Sequence, residues 1–443
     1  MTPASRLQAA IDVLDEINSG NRPADGTIAA YFRGRRYIGS KDRKSIAHQV
    51  WRILRNRAKL IWALNADHAT ARLLVLGDLV MNEQKTVDGT AGHFSGEHYE
   101  PEPLSAYERK TAQRLEKIDF SKAPKEVQLE LPKWLLLKFE KAFGDAAHQE
   151  LEALSVEAPL DLRANTLKTT RDEVIAKLTA EELAPTPMPY SPSGVRLPAR
   201  INLGTHKGFQ DGIFEVQDEA SQLCTMLVDA KPGMAVMDLC AGAGGKTLGI
   251  AATMQNKGRI VACDISVGRL ERSKLRLRRA GAHNATLRIL EDNDKWLRRQ
   301  EGVFDRVLVD APCSGTGAWR RNPDARWRLE TENLVNLKAT QDAVLEQAAP
   351  LVKIGGRLIY ATCSLLPEEN TERVTQFLAH HPEYKALPVG DVWRAVFGTE
   401  PVTKDDFLTL TPLRHGTDGF FVAILERLPD TPNDATTSDQ GET

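Results

Sequence analysis

The chain has 443 residues, 42% hydrophobic and 27% charged, the composition of a soluble globular protein with material for about three domains, and no apolar run is long enough to span a membrane. A formal net charge of −2 excludes a wholesale polycation, so a nucleic-acid partner has to be met by local clusters of charge. The five cysteines include no C-x-x-C pair and follow no signal peptide, which argues against a zinc cluster or any other metal site and points to the reducing cytoplasm.

From the N-terminus, Leu7, Ala10, Ile11, Leu14 and Ile17 recur at helical spacing and predict a helix over 5–17, closed by Gly20. A basic loop follows, in which Arg33, Arg35, Arg36, Lys41, Arg43 and Lys44 are interleaved with Tyr31, Phe32 and Tyr37. A helix over 46–64 then carries Arg52, Arg55, Arg57 and Lys59. Cations among aromatic rings suit a surface that tracks phosphates and stacks bases; a solvated helix face over core aromatics has the same pattern. Residues 84–104 read as a linker. Helices resume over 105–117 and 132–155, the second with an apolar stripe of Trp134, Leu135, Phe139 and Phe143 suited to core packing. A strand from Leu160, a helix over 171–179 and a turn-rich run with Pro185, Pro187, Pro189, Pro192 and Pro198 make a small α+β module ending near Gly212.

From Gly233 strands and helices alternate. Strands are expected over 235–240, 259–264, 285–290, 305–310, 356–361 and 420–425, and Ser266 is expected to cap a helix that runs to Gly281. The fold class is therefore α/β, with a doubly wound, mostly parallel sheet. In such sheets ligands gather off the carboxyl ends of the strands. The fourth strand delivers Cys313 just past its end and the fifth delivers Cys363. If the two strands are neighbours, both thiols face one crevice; buried packing is the competing use of a free cysteine. The expected domains are a helical one over 1–125, a helical linker with the α+β module over 126–212, the sheet domain over 213–428 and a disordered tail over 429–443.

The loop after the first of these strands, Cys240-Ala241-Gly242-Ala243-Gly244-Gly245-Lys246, leads into a helix. Glycines let a ligand approach the backbone, and a helix N-terminus favours negative charge. A phosphate-wrapping loop needs G-x-x-x-x-G-K-[ST], but Cys240 stands where its first glycine belongs; a dinucleotide loop needs G-x-G-x-x-G, which is absent. S-adenosyl-L-methionine remains, with its methionine part along this loop. Asp264, at the end of the second strand, suits the ribose, and Asp292, after the third, suits the adenine amino group. A helix cap or a turn is the ordinary use of each of these acids.

Residues 150–427 resemble the RNA (cytosine-5)-methyltransferases. The resemblance is carried by Leu162-Arg-Ala-Asn165, Val216-Gln-Asp-Glu-Ala-Ser221, the run from Asp238 to Thr247, Asp310-Ala-Pro-Cys-Ser-Gly315, Arg320-Arg-Asn-Pro-Asp324, Thr362-Cys-Ser364 with Pro367-Glu-Glu-Asn370, and His415-Gly-Thr-Asp-Gly-Phe-Phe421. Gly242-Ala243 departs from the family's usual Ala-Pro. Ser40-Lys-Asp-Arg43 and Trp51-Arg-Ile-Leu-Arg55 resemble the NusB-like helical RNA-binding domain. Together they look most like the bacterial branch that modifies cytosine in 16S ribosomal RNA. The resemblance implies a class I S-adenosylmethionine-dependent methyltransferase sheet, an RNA substrate, most readily ribosomal RNA, and a monomer with no membrane partner.

Cytosine C5 is a poor nucleophile, and a thiolate that adds to C6 activates it. The resemblance assigns that attack to Cys363 and a part in the later release to Cys313. Asp310 is a candidate to hold the base at N3 or its amino group, and Lys246 to pair with Asp310; Asp310 also borders the cofactor. The target base has to be splayed out of the RNA to reach such a crevice. Arg269, Arg272, Lys274, Arg276, Arg278 and Arg279, with Arg320, Arg321, Arg326 and Arg328, are candidate phosphate contacts. The competing readings are a transfer-RNA methyltransferase, a non-catalytic ribosome assembly factor, a P-loop NTPase, and a DNA-type enzyme that attacks with Cys313.

Overall fold

The structure is a computed structural model, described here for residues 1–20, 22–65, 69–291 and 294–429. Asp292 and the expected tail beyond Pro429 lie outside the described residues. The chain forms two compact units, one of residues 1–158 with 315–331 and one of residues 159–314 with 332 onward. Among the described residues no helix is long and apolar enough to cross a membrane.

The first unit is helical. Its first helix, Pro3–Ser19, starts where the Thr2 hydroxyl accepts from the amide of Ser5, with proline at the first turn. The span expected as one helix over 46–64 is two, Ser40–Arg55 and Arg57–Leu64, broken at Asn56. Glu130 makes the break stable: its carboxylate accepts from the amides of Ala58 at 2.7 Å and Lys59 at 3.0 Å, groups that a helix start leaves without partners. The helix Ala71–Met81 is buried along most of its length and anchors a core built from Leu14, Val50, Ile53, Leu60 and Leu74. Ser105 and Glu108 form a reciprocal capping box at the start of Ala106–Leu115.

Residues 315–331 are woven into this unit. Trp319 is fully buried with its ring 5.6 Å from that of Phe139. Arg326 is 1% exposed and donates to the carbonyls of Glu130 (2.8 Å) and Leu154 (3.3 Å) and to the Ser155 hydroxyl (3.2 Å). Asp324 accepts from the amide of Ala24 at 3.1 Å, and Arg55 donates to the carbonyl of Arg320 at 3.1 Å. The expectation that Arg320 and Arg326 meet phosphate is overturned, because both side chains are buried. A guanidinium has five donors in a rigid fork, which suits it to bind carbonyls at converging helix ends as well as phosphate.

The second unit holds two sheets. In the smaller, β1 (Leu160–Ala164), β2 (Thr186–Pro187), β3 (Gly194–Leu197) and β4 (Phe214–Val216) pair antiparallel in the order β2-β3-β1-β4. The helix Arg171–Ala180 packs on it. The larger sheet is built from β5 (Ala235–Asp238), β6 (Arg259–Asp264), β7 (Ala285–Ile289), β8 (Phe304–Asp310), β9 (Val352–Thr362), β10 (Tyr384–Leu387), β11 (Leu408–Leu410) and β12 (Phe420–Arg427). Their order is β10-β12-β9-β8-β5-β6-β7, with β11 also on β12.

The strands β9-β8-β5-β6-β7 are parallel, as the alternation of strands and helices requires. Val307–Val309 and Leu358–Ala361 are buried, because helices cover both faces of such a sheet. The chain leaves β5 toward β6 and β7, then returns to place β8 on the other side of β5. That reversal opens a crevice at the carboxyl ends of β5 and β8. β10 and β11 were not expected: each is too short for a period of two to show, and both pair antiparallel with β12.

Candidate active site

β8 and β9 are neighbours, with Asp310 opposite Ala361 and the amide of Ala311 donating to the carbonyl of Ala361 at 2.9 Å. The register carries Pro312-Cys313 and Thr362-Cys363 off the sheet side by side, and the two sulfurs stand 3.3 Å apart. Both thiols are half-buried, whereas Cys224 and Cys263 are core residues whose thiols burial pushes up to about 12. Thiolate character is what makes cysteine reactive, so those two are inert packing. Burial likewise raises the thiol of Cys240 well above the usual range.

Lys246, in the first turn of the helix Gly245–Thr253, reaches Asp310 Oδ2 at 2.6 Å and lies 5.0 Å from the centre of the Phe420 ring. Burial works against the ammonium charge, but the acidic groups around it, Asp310 foremost, together hold the group above its ordinary value. The pair therefore joins the glycine loop to the end of β8.

The glycine loop runs from Leu239 to Gly244 off the end of β5. Gly244 has φ +79°, and a Cβ there would lie 2.2 Å from Ser273 Oγ, so only glycine fits. Gly242 also sits in the left-handed region, at φ +55°, where any side chain would be strained. The carboxylate of Asp264, at the end of β6, accepts from the amide of Gly242 at 2.8 Å and from that of Ser266 at 2.7 Å. Ser266 stands at the helix start as expected, but its own side chain makes no cap bond; Asp264 serves that turn instead. Beneath the loop Asp238 is fully buried and accepts from the Thr247 hydroxyl at 2.6 Å, while burial pushes its carboxyl up to about 7.

Three residues have roles at this site that the sequence did not assign them. Arg163 of β1, buried and lowered to about 10 by that burial, donates to the carbonyl of Gly245 at 3.0 Å. Arg276 donates to the carbonyl of Ala243 at 2.8 Å while its other nitrogens hold Glu215 of β4. Arg276 and Arg279, both paired with Glu215, are thus structural cations rather than open phosphate contacts; Arg269, Arg272, Lys274 and Arg278 on the same helix are exposed. The third is Glu369, which bonds the residues following both site cysteines.

The residues around the loop fit S-adenosylmethionine. Left-handed glycines leave the backbone open to a ligand, and Asp264 lies at a strand end beside them. Asp238 Oδ1, just below, makes no hydrogen bond among the described residues. A twisted parallel sheet with this loop at its switch point defines a class I S-adenosylmethionine-dependent methyltransferase.

The family model for 16S rRNA methyltransferase RsmB/F matches residues 225–426, and that for the ferredoxin-like domain of RsmF/B-like methyltransferases matches residues 131–203. The chain is 35% identical to the probable ribosomal RNA small subunit methyltransferase B of Synechocystis over 326 residues, 73% of each protein. It belongs to the RsmB/F family of 16S rRNA methyltransferases, enzymes that act on rRNA with S-adenosylmethionine. The crystal structure of PH0851 superposes with a TM-score of 0.79 at 27% identity, covering 96% of this chain and 99% of that one. A methyltransferase homolog protein from Pyrococcus horikoshii gives a TM-score of 0.59 at 28% identity, over 70% of this chain and all of its own.

Proposed function

We propose that this protein methylates C5 of a cytosine in small-subunit ribosomal RNA, through a transient bond between Cys363 and C6 of the base. The observation that carries the reading is the pair of half-buried sulfurs, 3.3 Å apart, at the ends of two adjacent parallel strands. One thiol suffices for an attack; a second beside it suits a reaction with a separate release step. The residues that would hold S-adenosylmethionine are Cys240 to Lys246, Asp264, Asp310 and, beyond the described residues, Asp292. When bound, it supplies an electrophilic methyl group on sulfur.

In this reading the thiolate of Cys363 adds to C6 and electron density moves to C5, which takes the methyl group. Asp310, held by Lys246, accepts a hydrogen bond from the cytosine amino group and keeps the base in plane with the attack. Cys313 assists removal of the C5 proton. The electrons of that C–H bond restore the 5,6 double bond, and Cys363 leaves C6 as a thiolate. The exposed Arg269, Arg272, Lys274 and Arg278 suit RNA phosphates. In the helical unit, Arg33, Arg36, Lys41 and Lys44 are exposed around Tyr37, which is 76% exposed, and this supports a NusB-like RNA-binding domain. We take the protein to act in the cytoplasm as a monomer.

One denaturing gel tests the mechanism. With S-adenosylmethionine and RNA, Cys313→Ala should trap a slow-migrating protein–RNA adduct, and Cys363→Ala and the double variant should lack it. An adduct in Cys363→Ala instead would assign the attack to Cys313, and adducts in none of the variants would overturn the covalent route.

A further inference from the structure

Glu369 is not among the groups the chemistry asks for, yet it touches both turns that carry the thiols. It follows the strand β9 by a few residues, in the turn Pro367–Glu369, and its side chain is fully buried. One carboxylate oxygen accepts from the amide of Ser314 at 2.8 Å and from the Gln341 side chain at 3.0 Å. The other accepts from the Ser364 hydroxyl at 2.5 Å and from the Ser314 hydroxyl. Ser314 follows Cys313 and Ser364 follows Cys363, so a single carboxylate spans the residues next to both sulfurs. Gln341 completes the clasp by donating to the carbonyl of Pro312 at 2.9 Å.

The clasp is itself held to the sheet. The Tyr360 hydroxyl donates to the carbonyl of Glu369 at 2.7 Å. Asn370 accepts from the Thr362 hydroxyl at 2.5 Å and donates to the carbonyl of Ser364 at 2.9 Å. Backbone pairing between β8 and β9 ends at Ala311, so beyond it hydrogen bonds to side chains have to hold the two turns together. A carboxylate that accepts several bonds at once is well suited, because its two oxygens offer about four acceptor positions and such charge-assisted bonds are strong.

We infer that Glu369 is a positioning residue that fixes the spacing of Cys313 and Cys363, and through it the passage from addition at C6 to release. This rests on the two-thiol reading above. Without the clasp, Cys363 still has all it needs to add to C6, but Cys313 no longer stands where the C5 proton has to leave.

The spacing can be read without RNA. Diamide oxidises two adjacent thiols to a disulfide, taking up their two hydrogens, and mass spectrometry follows the Cys313–Cys363 crosslink. Glu369→Ala should slow that crosslink at least about tenfold and turnover by roughly a hundredfold, as small displacements of reacting groups do, with S-adenosylmethionine affinity unchanged. It should also accumulate the Cys363–RNA adduct. Glu369→Gln, whose carbonyl keeps the Ser314 amide while its amide group donates to the hydroxyls, should restore most of both rates. Glu369→Asp, which keeps the charge but is one methylene too short to span both turns, should behave like alanine, and it decides the matter if the alanine variant does not fold. Wild-type crosslinking in a folded alanine or aspartate variant overturns the inference, and so does a glutamine variant as slow as alanine. Slow crosslinking with no adduct from any variant, Cys313→Ala included, upholds the positioning role and overturns the adduct chemistry instead.

Discussion

Asp264 shows how one side chain can be read for a ligand while it holds the backbone of its own site. Its position at the end of β6 was legible from the strand pattern and the chemistry of a ribose. Its two bonds to the amides of Gly242 and Ser266 were not, because they depend on how the loop after β5 folds back across β6. Asp264→Ala removes a charged acceptor at a site where hydrogen bonds to charged groups are worth about 1.5–3 kcal/mol, and it frees the Gly242 amide. Calorimetry with S-adenosylmethionine and no RNA should show affinity lower by on the order of ten- to a hundredfold. Unchanged affinity would remove Asp264 from the site. Arg163, Arg276 and Glu369 mark the limit of the sequence at this scale. Arg163 lies 82 residues from Gly245, and Glu369 lies 55 from Ser314; no local periodicity encodes such pairs. Arg163 and Glu369 are distinguished by burial of a charged group, which appears only once the chain is folded.

Among the elements, long strands with continuous apolar runs and helices with clear caps were read to within a few residues. The misreadings have local and tertiary causes: the helix expected over 132–155 is interrupted at Gly144, which sits at φ +53°, and the expected linker over 84–104 holds the short helix Val87–Ala91. The helix expected over 46–64 breaks at Asn56 because Glu130, 72 residues from Ala58, supplies acceptors for a second helix start. That cap has a measurable signature. Burial raises the Glu130 carboxyl from 4.5 to about 7, with the bonds from Ala58 and Lys59 opposing the shift. The folded state therefore holds its proton over a range in which the unfolded chain has lost it. A raised acid makes its full contribution to stability below the unfolded value and loses it as pH rises through the folded one. Glu130→Gln keeps an acceptor for the helix start but cannot titrate. Relative to that variant, the wild type should lose on the order of 1–3 kcal/mol between pH 4.5 and 7. Denaturant melts of the two proteins across that range check it, and parallel pH profiles would show that Glu130 does not titrate there.

For the whole molecule, the sequence read as beads on a string, with a helical domain ending near residue 125 ahead of the rest. The fold is not arranged in that order. Residues 315–331 begin directly after Ser314, beside Cys313, yet they belong to the helical unit. The motif Arg320-Arg-Asn-Pro-Asp324 gave no hint of this in sequence, because arginines read as surface and phosphate contacts unless their burial is seen. Deleting residues 1–120 would strip the amide of Ala24 from Asp324, Arg55 from the Arg320 carbonyl, and the amides of Ala58 and Lys59 from Glu130. Glu130 and Arg326 are coupled through the bond to the Glu130 carbonyl, so the loss reaches the guanidinium at the centre of the segment. A buried charge left with fewer partners is costly, and the segment should open rather than keep it. Limited trypsin digestion reads this directly, since Arg320 and Arg326 are tryptic sites and both are buried in the intact chain. The intact protein should resist cleavage after both residues, while the truncated protein should be cut after both within the time the intact chain survives. Because the cut lies just beyond Cys313, the truncated protein should also show slower Cys313–Cys363 crosslinking by diamide. Equal resistance at Arg320 and Arg326 in the two proteins would mean that residues 121–158 alone hold the segment, and the helical region before them would then be separable after all.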